Sequence, residues 1–256
     1  TFGYSPIFYQ QPTNGLTYNL VSKELVVESQ DELDSLMILS ALLGKVAAGN
    51  KDHIQLQKEI SKISGGISAS NHFFYDKNEE LKGKMTLSAK FLPENTIDTT
   101  NLIFEIFNKT NFDLHERIKE LMFQNFMGFQ QSIVENGHRF AMLGASSSHN
   151  QLSYLQESMG GLSAISKFAP FVTNQDDLMK KEIEKVETMY KKLESMKSEL
   201  LFVSNEKLTK DQINAIREID FEKDGNSKVN VNFTKKFNKI SFPINTQVNF
   251  SAMSLD

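Results

Sequence analysis

Five histidines, His53, His72, His115, His138 and His149, are the side chains of this 256-residue chain best suited to hold a metal or move a proton at neutral pH. A hydrolytic zinc site needs two or three imidazole or carboxylate ligands at helical or hairpin spacing, with one position open for water. Neither His-Glu-x-x-His nor His-x-x-Glu-His occurs in the sequence. His115 precedes Glu116 but has no second His one turn away. Glu135 and His138 stand three apart and could share a helical face, and an independent metal centre would need His115 as their third partner. Surface or capping roles are the simpler expectation for all five. Ser146-Ser147-Ser148-His149 offers a hydroxyl beside an imidazole, but the nearest approach to a Gly-x-Ser-x-Gly elbow, Gly144-Ala145-Ser146-Ser147-Ser148, lacks the closing glycine. A solvated loop is expected there. The pairs Gly65-Gly66 and Gly160-Gly161 have neither the Gly-x-Gly-x-x-Gly spacing nor the Lys-Ser/Thr of a phosphate loop. With zero Cys, thiol nucleophiles, Cys-ligated zinc and iron–sulfur clusters are excluded. Chemistry alone therefore assigns no catalytic, cofactor-binding or metal-binding residue to this chain.

Charge and hydropathy narrow the partners. Lys and Arg number 28 against 32 Asp and Glu, a net charge of −4, which speaks against a nucleic-acid binder. Lysines 223, 228, 235, 236 and 239, interleaved with Phe233 and Phe237, form the one basic-aromatic stretch, and a solvated face is the better reading. No apolar run reaches the roughly 18–20 residues of a membrane span. The greasiest stretch, Leu33 to Ala48, is interrupted by Asp34, Ser35, Ser40 and Lys45. A soluble protein of the cytoplasm or an organelle matrix is expected, with the compartment left open.

The elements that must position these residues follow from periodicity. Residues 1–15 read as a connector, and Leu16 to Val21 as a strand. Ser29-Gln30-Asp31-Glu32 should cap an apolar helix that Gly49 can end. A second helix over 53–63 places Leu56, Ile60 and Ile63 on one face. Gly83, Met85, Leu87, Ala89 and Phe91 alternate with polar residues, so 81–92 is a half-buried strand, paired in a hairpin with 67–75. Helices are expected at 95–107, 113–135, 138–145 and 175–197, and a buried strand at 200–203. Residues 206–239 read as a linker with a short helical pattern at 209–219, and 242–250 as a lone strand. This order predicts an α+β fold, a mostly antiparallel sheet with helices packed on one face.

Three stretches carry a family resemblance. Ile63-Ser64-Gly65-Gly66-Ile67-Ser68-Ala69-Ser70 resembles the glycine-pair-then-strand signature of the insulinase/pitrilysin zinc peptidases, in their presequence-protease and falcilysin branch. Ser132-Ile133-Val134-Glu135-Asn136-Gly137-His138-Arg139-Phe140-Ala141 is similar to that branch's Ser-Ile…Gly-His-x-x-Ala segment. Glu157-Ser158-Met159-Gly160-Gly161-Leu162-Ser163 resembles its Glu-x-x-Gly-Gly-Leu element. Order and spacing agree over about residues 14–205.

The resemblance implies a parent protein of four homologous α+β domains, in two halves that close over a peptide. This chain would be the third domain: 1–15 the end of a connector, 16–205 a non-catalytic insulinase-type domain, and 206–256 a linker and the first strand of the following domain. The chain starts Thr1-Phe2-Gly3 and stops at Leu255-Asp256, which fits a segment of a longer polypeptide. Zinc in that family belongs to the first domain, on an inverted His-x-x-Glu-His helix. The corresponding helix here, Leu36 to Gly44, has no His and no Glu, so no zinc ligand carries over. Partners implied are the N-terminal catalytic half, the fourth domain and a peptide substrate. The alternative is a stand-alone, non-catalytic binding or assembly domain of the same fold.

Overall fold

The inward face of the strand around Val21 sets the architecture. Thr17, Asn19, Val21 and Lys23 alternate with Tyr18, Leu20, Ser22 and Glu24, and the first four are each 0–2% exposed. Period-2 alternation puts those four on one side of the sheet, so three polar side chains must find partners inside the core.

The computed structural model describes residues 6–173, 175–219, 227–234, 241, 243 and 247–254. Its first half runs β1 (Ile7–Gln10), β2 (Thr17–Glu24), β3 (Val26–Val27), α1 (Gln30–Leu42), α2 (His53–Ile63), β4 (Ile67–Tyr75), β5 (Leu81–Phe91), α3 (Thr96–Lys109) and α4 (His115–Glu135). Then come α5 (Gly137–Ser146), α6 (Gln151–Gly160), a 3-10 turn at Leu162–Phe168, α7 (Ala169–Val172), α8 (Asp176–Glu194), β6 (Ser198–Ser204), α9 (Lys210–Arg217) and β7 (Lys228–Val229). Five strands form one sheet in the order β1-β6-β2-β5-β4, antiparallel except for the parallel β1–β6 edge. A short parallel pair, β3–β7, forms a second sheet that abuts β5 at Gly83. The α+β fold with a mostly antiparallel sheet is as the sequence predicts.

Register aligns the inward rows. Val21 pairs Leu87 and Leu200, Asn19 pairs Ala89 and Phe202, and Ala69 pairs Leu87. Helices cover this face. Asn19 Nδ2 donates to Thr100 Oγ1 (2.8 Å) and Lys23 Nζ to Asn108 Oδ1 (3.1 Å), both on α3. Four strand residues rise about 13 Å and eight helical residues about 12 Å, so α3 lies alongside β2 with matched repeat. Lys23 also donates to the Glu194 carbonyl at the last turn of α8 (2.9 Å), and its ammonium lies 5.6 Å from the Phe107 ring centre. The cation thus serves the C-terminal ends of two helices, where the backbone dipoles favour positive charge.

Helix α1 starts as the sequence indicates, with the Ser29 side chain accepting from the Glu32 amide. It stops earlier than expected, at Leu42, because Gly44 takes a left-handed conformation (φ +76°). Leu33, Leu36, Ile38, Leu39 and Leu42 are all buried, since α1 is enclosed by α4, α6, α8 and β4. Helix α8 presents Met179, Ile183, Val186, Tyr190 and Leu193 inward and its charges outward, as a surface helix should.

Two stretches expected as connecting chain are structured. Within 1–15, Ile7–Gln10 adds β1 to the sheet edge. Within the supposed linker, α9 buries Ile216 completely, and Val229 and Val231 join the core through β7. Both pairings reach across some 200 residues of sequence, which local periodicity does not register. Of the lone strand expected at 242–250, residues 247–250 carry no strand, and 242 and 244–246 lie outside the described residues.

Lys23→Ala should lower stability by about 2–4 kcal/mol in urea titrations, because Asn108 and the Glu194 carbonyl lose a buried charged donor; Lys23→Met, keeping the stem, should lose less. A Lys23→Ala protein as stable as the parent would refute the anchoring role.

The Tyr190 hydroxyl accepts from the Thr110 amide (2.7 Å) and donates to the Ile106 carbonyl (3.3 Å), and burial pushes its pKa up to about 12. Folded pKa exceeds the unfolded value of about 10, so this contribution is full below pH 10 and is lost as pH rises through 12. Urea midpoints measured from pH 9 upward should fall more steeply for the parent chain than for Tyr190→Phe.

Candidate functional site

The histidines do not converge. His53 opens α2, His72 lies exposed on β4, His115 opens α4, His138 is exposed on α5, and His149 sits in the turn before α6. His115 and Glu135 are the first and last residues of α4, so at 1.5 Å per residue they stand about 30 Å apart. They cannot share an ion with His138. Ser146 ends α5, and its hydroxyl donates to the Leu143 carbonyl (3.2 Å) as an ordinary helix-terminal serine does. Among the described residues no group of three His, Asp or Glu is placed to hold a metal.

The helix that the resemblance aligns with a zinc helix is α1. Its Met37 and Ser40 line a groove of about 480 Å³ between α1, α6 and the edge strand β4, with Asn71 and His72 opposite and Arg139 at its rim. The Asn71 amide donates to the Leu36 carbonyl (3.3 Å), while its Oδ1 is buried without a hydrogen-bond partner. One imidazole, two thioethers (Met37 and Met159) and one hydroxyl do not make the three- or four-ligand imidazole, thiolate or carboxylate set that zinc takes.

The signature motifs turn out to be structural joints. Gly65 brings its amide onto the Lys90 carbonyl (2.8 Å), and Gly66 takes φ +115°, which turns the chain from α2 into β4. Buried Glu157 accepts from the Ser163 amide (3.0 Å) and hydroxyl (2.6 Å), closing the start of the 3-10 turn. Ser158 accepts from Gln30 Nε2 (2.9 Å), which also reaches Asp34 (2.7 Å), and the Tyr154 hydroxyl donates to Gln30 Oε1 (2.8 Å). Asp34 in turn pairs with Lys167 at 2.5 Å. Burial, then the charges of Asp34 and Glu157, push the Tyr154 phenol up. Sequence patterning does not single out Gln30, Asp34, Tyr154 and Lys167 as a group. Asp34, a charge inside an apolar helical run, is the available signal.

The sheet's other face is mixed, with Ile7 and Tyr9 exposed and Leu20, Leu201 and Val203 half-buried beside a polar row. Tyr18 is exposed there, Ser22 and Thr86 exchange a hydrogen bond (2.8 Å), as do Ser68 and Ser88 (3.0 Å), and Lys84 pairs with Glu199 (2.6 Å).

The two signature glycines should respond oppositely. A Cβ on Gly161 would lie 2.7 Å from the Glu157 carbonyl oxygen, whereas on Gly160 its nearest neighbour is the flexible Arg139 tip at 3.6 Å. Gly161→Ala should cost about 1–3 kcal/mol, and Gly160→Ala should be neutral or add up to about 1 kcal/mol. Equal thermal midpoints for the two variants would contradict this packing.

A sequence profile of the family described as associated with peptidase M16, subfamily C, matches residues 3–170. "Presequence protease, mitochondrial" of Danio rerio is 28% identical over 180 residues, covering 69% of this chain and 17% of that protein. "Protein HypA" of Clostridium perfringens is 29% identical over 135 residues, 52% of this chain and 14% of that protein. The chain thus spans about a sixth of the length of such relatives. Among solved structures, a conserved protein from Enterococcus faecalis V583 superposes with a TM-score of 0.56 at 13% identity, over 84% of this chain and 49% of that one. A peptidase M16 inactive domain from Pseudomonas fluorescens gives 0.50 at 13% identity, over 89% and 53%. Those two likenesses concern the fold. The profile match covers well over half of the chain and agrees with the glycine and Glu-x-x-Gly-Gly-Leu joints: the chain belongs to the insulinase-type peptidase family, as a segment of the kind associated with its subfamily C.

Proposed function

We propose that this chain is a non-catalytic domain of a zinc metalloendopeptidase that degrades peptides, and that it forms part of the C-terminal half enclosing the substrate chamber. The observation that carries this reading is the profile match over residues 3–170, in a chain spanning about a sixth of the presequence proteases it resembles. The donor-poor groove beside α1 supports a non-catalytic role. Zinc, held by the N-terminal half of the longer protein, would supply the hydrolytic chemistry. This domain would contribute enclosure instead.

The open sheet face is suited to that task. Its hydroxyl pairs and the Lys84–Glu199 pair, beside exposed Ile7, Tyr9 and Tyr18, offer an extended peptide both polar and apolar contacts. An enclosing wall selects substrates by what fits inside, and movement of the halves gates entry and release. The neighbours would be the N-terminal catalytic half and the fourth domain of the same polypeptide. No helix among the described residues is long and apolar enough to cross a membrane. The naming of relatives as mitochondrial favours an organelle matrix.

Reconstitution tests the proposal. The 256-residue chain alone should leave a quenched fluorogenic peptide uncut, the full-length protein should cleave it, and a full-length protein lacking residues 16–205 should regain cleavage when the chain is added back. Stoichiometric zinc with peptidase activity in the isolated chain, or undiminished cleavage after the deletion, would overturn it.

A further inference from the structure

A second cleft lies away from the α1 groove, where the turn after α1 meets α4 and the 3-10 turn. The left-handed Gly44 swings Lys45 outward toward the first turns of α4, where Arg117 projects. Together they line a hollow of about 650 Å³. Arg117 gives one terminal nitrogen to the Glu120 carboxylate (2.7 Å), but its Nε is buried without a hydrogen-bond partner. Lys45 forms no ion pair or hydrogen bond among the described residues, and burial and then the Arg117 charge hold its ammonium below the usual lysine value. Among the described residues Glu120 is the only carboxylate hydrogen-bonded to this pair, and it is shared with Gln124 (3.2 Å). Two cations therefore line one cleft whose described lining includes no carboxylate, and the like charges repel each other until an anion enters.

The floor has a different character. Phe129 and Phe168 lie 5.8 Å apart, centre to centre, and Leu121 completes an apolar base. Above it sits Gly128, in the interior of the 21-residue helix α4. A helix-interior glycine costs about 1 kcal/mol relative to alanine. No backbone strain calls for it, and a Cβ there would meet nothing within 4 Å. The glycine keeps the cleft open.

We propose that this cleft binds a small organic anion, its oxyanion head between Lys45 and Arg117 and its apolar body on Phe129 and Phe168 in the space left by Gly128. The inference stands apart from the peptidase reading, since the cleft lies among the helices and not on the open sheet face. Ligands of this chemistry are carboxylates on an aromatic or aliphatic frame. The head gains charge-assisted contacts with the Lys45 ammonium and the Arg117 guanidinium that line the cleft, and the body removes exposed ring surface from water.

The probe is 2-naphthoate, titrated into the 256-residue chain and followed by backbone and side-chain amide NMR. Saturable shifts should map to residues 45, 57, 117, 124, 125 and 128, and the thermal midpoint should rise with ligand concentration. Lys45→Gln should weaken binding roughly tenfold or more, and neutral 2-naphthol should bind weaker than naphthoate by a similar factor. Lys45→Arg should retain it. Gly128→Leu, which fills the open space while improving the helix, should abolish binding without lowering the melting temperature, separating blockage from misfolding. Inorganic phosphate, lacking the apolar body, should bind far more weakly. The proposal falls if millimolar naphthoate gives no saturable shift, if naphthol or phosphate binds as tightly, or if Lys45→Gln and Gly128→Leu bind like the parent chain.

Discussion

The polar inward face of β2 is the constraint around which the domain is arranged. A central strand that turns Asn19 and Lys23 into the core must be met by helices carrying acceptors at the right interval. Thr100 and Asn108 on α3 supply that interval to within about 1 Å. Once α3 is fixed along the strand, Lys23 also receives the end of α8, and α8 in turn packs along α1. Apolar contacts supply most of the driving force, but they are tolerant of sliding. The hydrogen bonds from β2 choose one position along the strand out of several that the apolar surfaces would accept.

The interruptions in the apolar stretch 33–48 show how the same logic works locally. Asp34 closes the network of Gln30, Tyr154 and Lys167. Ser35 is buried and donates to the Asp31 carbonyl (2.9 Å). Ser40 faces the groove beside β4, and Lys45 the cationic cleft.

Elements with strong periodicity are legible in the sequence: β5 from its strict alternation, α2 and α8 from their apolar stripes, α1 from the Ser29 cap. The contributions of Ile7–Gln10 and Val229 are not, because their partners lie some 200 residues away and their own segments are too short to show a period. Lys23 escapes for another reason. A lysine in a strand reads as solvent-facing, although its parity with Thr17, Asn19 and Val21 puts it inside. The site follows the same pattern. The wide spacing of the histidines is visible in the sequence, as are the glycine motifs. Lys45, Arg117 and Gly128 come from separate turns and helices, and only the fold makes them neighbours.

The outer margin of β4 has a consequence of its own. As the last strand of its sheet among the described residues, it pairs there with β5 on one side alone and ends in Phe73-Phe74-Tyr75, of which Phe74 and Tyr75 are exposed. A free strand edge with aromatic side chains is a template for further pairing, and edges of this kind are commonly blunted by charge, proline or a covering element. Here β4 itself contains no Lys, Glu, Asp or Pro. Chains concentrated together can lengthen the sheet from one molecule into the next at this edge, as at the opposite one, where β1 is also uncharged, and whatever segment caps such an edge guards against self-association.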